Sequence, residues 1–142
     1  MYDSILVPVD GSDPSDAAVS HACAVASDEA TVHLLHAVEY PERGTLGGHI
    51  PDSLVEAMHD EGERLVADAA ARVEAAGLDA EATVVDGAAI RAIADYADNH
   101  DVDVLVMGTH GRRGVERFLL GSTTERTIRT VDRPVLTVES PP

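Results

Sequence analysis

The chain has 142 residues, 44% of them hydrophobic, which is the size and composition of a single domain spanning residues 1–142 with one core. It carries 26 acidic residues against 10 basic ones, all arginine, and the missing lysine excludes Walker-type phosphate loops, protein kinases and ordinary response-regulator receivers. A formal net charge of −16 disfavours nucleic acid and anionic membranes as partners, and no apolar run reaches the roughly 18–20 residues of a membrane helix.

Short apolar runs alternate with helix-period segments along the chain. The runs predict five β-strands, at 4–10, 31–38, 80–87, 102–108 and 134–138. The segments between them predict helices at 13–27, 52–76, 88–99 and 122–131. Strands that alternate with helices and are apolar throughout favour a parallel sheet covered on both faces. The sequence therefore predicts a doubly wound α/β domain.

The first predicted helix has a clear start and an apolar stripe. Asp13 is suited to cap it, and Pro14 fits its first helical position. The residues that share one helical face are Ala18, His21, Ala22 and Val25. We expect this face to cover the sheet.

Two polar loops follow predicted strands, "PVDGSD" after the first and "GTHGRRG" after the fourth. In a doubly wound sheet, ligands bind beyond the carboxyl ends of the strands, where the strand order reverses. With the first strand at the centre, the two loops adjoin and form one site.

The second loop has the chemistry of a phosphate site. Its glycines, Gly108, Gly111 and Gly121, allow close backbone approach and unusual dihedral angles. Ser122 and Thr123 open a helix whose free N–H groups favour an anion. Arg112 and Arg113 add charge that can neutralise phosphate oxygens. On spacing alone, glycines that only make turns and hydroxyls that only cap a helix remain an alternative.

The same stretch resembles the nucleotide-binding signature of the universal stress protein family, Gly-x2-Gly-x9-Gly-Ser/Thr, here Gly108, Gly111, Gly121 and Ser122. The similarity extends to "ILVPVDGS", "LLHAVE", "DVLVMGTHGR" and "RPVLTV", and so covers nearly the whole chain. The resemblance implies a five-stranded parallel sheet in the order 3-2-1-4-5, ATP at the strand ends, and dimers.

The resemblance also implies roles for individual residues. Pro8, Val9 and Asp10 are expected beside adenine and ribose, with Asp10 near sugar hydroxyls or the metal. Ala37 is expected to offer backbone groups to adenine. The ribose and phosphate path is assigned to Met107, Gly108, His110 and Gly111, and the terminal phosphates to Gly121, Ser122 and Thr123. Mg²⁺ or Mn²⁺ arrives on the phosphates. Asp10 as a plain turn carboxylate and His110 as a solvated loop residue remain alternatives.

These features lead to the hypothesis of a cytoplasmic, ATP-binding stress-response protein that reports nucleotide occupancy to an unidentified protein partner. A slow Mg²⁺-dependent ATPase is one alternative. Its hydrolysis would be slow because no general base is evident in the sequence. A non-nucleotide ligand-binding or scaffold protein of the same fold is another.

Two expectations concern the surface. The strand order would leave the last strand on an edge, and a homodimer through Val135, Leu136 and Val138 would cover it. The dense acidic charge without lysine favours adaptation to high salt, where counterions screen the repulsion between carboxylates.

Overall fold

The structure, a computed structural model, describes residues 1–40, 49–109 and 121–140. The strands are β1 (Tyr2–Pro8), β2 (Ala26–Val38), β3 (Asp79–Asp86), β4 (Val104–Gly108) and β5 (Val135–Val138). The helices are α1 (Asp13–Val25), α2 (Asp52–Ala75), α3 (Ala89–Asn99) and α4 (Ser122–Thr130). Each predicted element is present, with its ends shifted by a few residues at most places.

The sheet is parallel throughout, with the strand order β3-β2-β1-β4-β5. Alternate residues of a strand face opposite sides, so in β1 Ile5 and Val7 enter one core cluster and Leu6 enters the other. Helices α1 and α2 cover the first cluster, and α3 covers the second, with α4 packed beside α3. The predicted doubly wound fold and its strand order are confirmed.

The first helix differs from its prediction in three details. Ser12, not Asp13, is the N-cap, and its hydroxyl accepts a hydrogen bond from the Ser15 N–H group. The helix ends at Val25 rather than at residue 27, because the next residue is already extended and begins β2. His21 is exposed, and Val19 takes its place on the buried face.

A polar cluster lies on the α3 side of the sheet around His33 of β2, which is itself only 6% exposed. Its Nδ1 atom lies 2.7 Å from the Tyr96 hydroxyl and 3.2 Å from a carboxylate oxygen of Glu81, and its Nε2 atom lies 3.3 Å from the Ser4 hydroxyl. The Tyr96 ring stacks on His100 at 3.7 Å between centroids. Burial lowers the pKa of His33; Glu81 opposes this shift and His100 adds to it.

This cluster predicts that the protein is less stable in mild acid. A histidine whose pKa is lowered by folding stabilises the protein above its ordinary pKa of 6.5, and that contribution is lost as the pH falls below it. Urea unfolding at about pH 7.5 and about pH 5.5 should therefore give a smaller free energy of unfolding in acid, and His33→Gln should reduce the difference. Replacing the exposed His21 with glutamine is the control and should leave the difference unchanged; an unchanged difference in His33→Gln would contradict the assignment.

Candidate functional site

A cavity of about 550 Å³ opens at the carboxyl ends of β1, β2 and β4. This is the edge at which a doubly wound sheet places its ligands, because α1, which follows the central strand β1, and α4, which follows β4, lie on opposite faces of the sheet. The first turns of α1, α3 and α4 and the second and third turns of α2 complete the wall.

The cavity brings together every predicted site residue within the described ranges. These are Pro8, Val9, Asp10, Ala37, Met107, Gly108, Gly121, Ser122 and Thr123. The other four, His110, Gly111, Arg112 and Arg113, lie outside the described residues. Residues at the end of β1 and the two glycines that flank the late loop, Gly108 and Gly121, are about a hundred residues apart in sequence and line one cavity, as the strand order predicts.

The loop after β1 is fixed by hydrogen bonds of its own. The Asp10 carboxylate accepts from the Ser12 N–H group at 2.9 Å, and the Asp10 N–H group donates to the Ser15 hydroxyl at 3.2 Å. Gly11, with φ of 81°, takes the left-handed conformation that the turn requires. Asp10 is thus a turn carboxylate and a cavity-lining residue at once.

The first turn of α4 lines the same cavity. Its N-cap, Gly121, is extended, with φ of −63° and ψ of 153°, and no side chain among the described residues caps the helix. The Gly121 N–H group donates to Thr109, and the Thr124 hydroxyl donates to the Gly108 carbonyl at 2.8 Å, which anchors the helix to β4. Ser122 and Thr123, which line the cavity, therefore lie at the positive end of the helix dipole.

Gly108 serves packing rather than an unusual dihedral angle. A Cβ atom at this position would lie 2.6 Å from Cβ of Pro14 and 2.8 Å from its carbonyl carbon. Neither Gly108 nor Gly121 has a positive φ, so the expected unusual dihedrals are absent at both. The bare backbone of Gly108 lets the first turn of α1 rest directly on the end of β4.

Several residues of the lining were missed in the sequence analysis. Glu39, after β2, accepts a hydrogen bond from the Ala89 N–H group at 2.7 Å and so caps α3, whose own N-cap residue is alanine. Met58 and Glu61 come from α2, where the periodicity marks only the buried face. The remaining missed residues are Ser12, Ser15, Leu35, His36, Val38, Ala89, Ile93 and Thr124. Ser12 lies in the "PVDGSD" loop, which the sequence does point to; the others carry no site signal of their own, because their role arises from packing between distant segments.

The described part of the lining is acidic. It includes the carboxylates of Asp10, Glu39 and Glu61, together with the imidazole of His36 and no arginine. Over the ranges 1–40, 49–109 and 121–140, no group of three or more histidine, cysteine or carboxylate side chains is arranged to hold a metal ion. None of the helices in those ranges combines the length and apolar character needed to cross a membrane.

Comparisons with known proteins agree with this architecture. A family model described as the Universal stress protein family matches residues 1–139. Universal stress protein MJ0531 from Methanocaldococcus jannaschii is 32% identical over 143 residues, which cover 99% of this chain and 84% of that protein. The solved structure of MJ0577 from the same organism superposes with a TM-score of 0.87 at 28% identity, covering 100% of this chain and 99% of the other. A universal stress protein solved in complex with cAMP has a TM-score of 0.74 at 28% identity, covering 99% of both chains.

Proposed function

The chain belongs to the universal stress protein family, and from that premise we propose that it binds an adenine nucleotide, ATP in the first place, in the cavity at the strand ends. The observation that carries the proposal is that all nine predicted site residues within the described ranges line one cavity. The family relative solved with cAMP supports the ligand class, because it shares the fold over nearly its whole length at 28% identity.

The phosphates belong at the start of α4. Of the helices whose first turns line the cavity, α1 is capped by the Ser12 hydroxyl and α3 by the Glu39 carboxylate. Helix α4 has no such cap among the described side chains, so its first N–H groups suit phosphate oxygens. Arg112 and Arg113, which lie between β4 and α4 in the sequence, would add positive charge at this end.

The acidic lining favours a nucleotide that carries its own cation. Three carboxylates around the cavity would repel a bare triphosphate, and a divalent ion on the phosphates removes most of that repulsion. The described residues do not build a resident metal site, so Mg²⁺ or Mn²⁺ would arrive with the ligand. Asp10, at the end of β1, is the carboxylate that the family resemblance assigns to the ribose or the metal.

Replacing Ser122 tests the phosphate assignment. Ser122→Pro removes the first N–H group of α4 while suiting the first helical position, and the extended conformation of Gly121 tolerates a following proline. Ser122→Ala is the matched control, since it removes only the hydroxyl. Loss of one hydrogen bond to a charged group, worth about 1.5–3 kcal/mol, should weaken ATP binding by about tenfold or more in Ser122→Pro relative to Ser122→Ala.

Calorimetry with ATP and with adenosine, both in the presence of Mg²⁺, measures the difference. Adenosine has no phosphate and should bind the two variants equally. Equal ATP affinities for the two variants would move the phosphates away from α4. A wild-type chain that binds neither ligand would favour the alternative of a non-nucleotide ligand-binding or scaffold protein, and rapid phosphate release by the wild type would favour an ATPase.

We also propose a homodimer through the edge of β5. The N–H groups of Leu105 and Thr109 donate to the carbonyls of Pro134 and Val138, so every second residue of β5 directs its main-chain groups to β4. Thr137 belongs to the other set, and its main-chain groups face the open edge of the sheet. The side chains of Leu136 and Val138 are already half-buried against the core on the α1 side. Association of two chains across this edge would therefore depend on main-chain hydrogen bonds more than on exposed apolar side chains.

Thr137→Pro should break this dimer and leave the fold intact, because it removes an outward N–H group and no bond to β4. Thr137→Val keeps the N–H group and is the control. Light scattering after size exclusion should give twice the chain mass of 14.9 kDa for the wild type and the valine variant, and the chain mass for the proline variant. A dimeric proline variant would place the interface elsewhere, and a monomeric wild type would remove the proposal.

We further propose that the protein acts in a cytoplasm of high salt. The net charge of −16 and the absence of lysine support this, because counterions are then needed to relieve repulsion within the folded chain. The melting temperature should rise between about 0.1 M and about 2 M KCl, as the Debye length falls from roughly 10 Å to below 3 Å. An unchanged melting temperature over that range would remove the halophilic interpretation.

A further inference from the structure

His36, on β2, makes an unusual contact at the end of β1. Its Nδ1 atom lies 2.7 Å from the main-chain carbonyl oxygen of Val9. Because a carbonyl oxygen only accepts hydrogen bonds, Nδ1 carries the proton and the imidazole is the donor. Val9 is held by β2 a second time, since its N–H group donates to the Leu35 carbonyl at 2.8 Å.

The imidazole is seated by a glycine of α2. A Cβ atom on Gly62 would lie 2.7 Å from Cδ2 of His36 and 3.3 Å from a methyl carbon of Val84. Gly62 is itself buried in the middle of its helix, where glycine has a poor intrinsic propensity. The missing side chain lets α2 close over the sheet with the His36 ring in between.

The His36 contact replaces a bond of the regular ladder. Successive residues of a parallel strand direct their main-chain groups to opposite neighbours. Leu35 accepts from Val9 on the β1 side, and Val38 accepts from Gly87 on the β3 side, so the N–H group of Ala37 is directed towards β1. In a continued ladder that N–H group would donate to the Val9 carbonyl, but the last β1–β2 pair is Pro8 with Leu35.

We propose that His36 is a positioning residue of the nucleotide site, an inference that rests on the function proposed above. By donating to the Val9 carbonyl, it ends the β1–β2 ladder at Pro8 and leaves the Ala37 N–H group directed into the cavity, where a ring nitrogen of the base can accept from it. The same bond fixes Val9, and with it the position of Asp10. Recognition of a base that has an acceptor nitrogen thus depends on the His36 imidazole, although its hydrogen bond is to the Val9 carbonyl and not to the ligand.

The test uses two nearly isosteric replacements. Asparagine places an amide N–H group near the position of Nδ1, whereas leucine has the same branching without a donor. In His36→Leu the Val9 carbonyl is free to accept from Ala37, so hydrogen exchange of the Ala37 amide in the ligand-free protein should slow by about tenfold or more relative to the wild type and to His36→Asn. ATP affinity in the presence of Mg²⁺ should fall by about tenfold, or about 1.4 kcal/mol, in His36→Leu and by less than about threefold in His36→Asn.

Gly62→Ala should also break the bond between His36 and the Val9 carbonyl, because its methyl group must displace the His36 ring. It should therefore weaken ATP binding as His36→Leu does. Circular dichroism melts establish that each variant is folded. Ala37 exchange that is the same in the wild type and in His36→Leu, or ATP binding of equal strength in the two, overturns this inference alone. Slowed exchange of the Ala37 amide in His36→Leu, together with a wild-type chain that binds no nucleotide, supports the role of His36 in ending the β1–β2 ladder and overturns the proposed function.

Discussion

The contact between Pro14 and the bare backbone of Gly108 is the constraint on which the site depends. Strand β1 is central and is followed in the chain by α1, whereas β4 is followed by α4. The first turn of α1 rests on the end of β4, and this places the starts of α1 and α4 on one cavity. A side chain at residue 108 would have to push the helix away, and overpacking of that kind costs about 1–3 kcal/mol in a close-packed interior. Gly108, the first glycine of the family signature, is thus first a condition of the fold.

Much of the architecture could be predicted from the sequence because its causes are local. The apolar runs have strand length, the intervening segments have helical period, and Pro14 marks a helix start, although the cap is Ser12 and not the predicted Asp13; the glycine spacing of the late loop points to the family. The end of α1 was placed two residues late, since alanine and serine at 26 and 27 suit a helix and only the register of β2 against β1 decides otherwise.

The rest of the lining could not be predicted because it is made by contacts between segments that are distant in sequence. Glu39 caps a helix 50 residues away, and nothing near Ala88 announces a missing cap. His36 alternates with apolar residues like any half-buried strand histidine, and its bond to Val9 appears only when two strands are in register. Glu61 lies on a helix turn that, by periodicity alone, could face solvent equally well.

The start of α3, which Glu39 caps, and the start of α4, which no described side chain caps, stand on opposite sides of β1, one at the end of β2 and the other at the end of β4. Two strand spacings, about 10 Å, separate these ends of the sheet. The cavity is therefore polarised, with carboxylate at one pole and helix N–H groups at the other. A ligand with a single anionic end would be aligned by this field before it made any specific contact, whereas an electrically symmetrical ligand of the same size would gain no preferred direction.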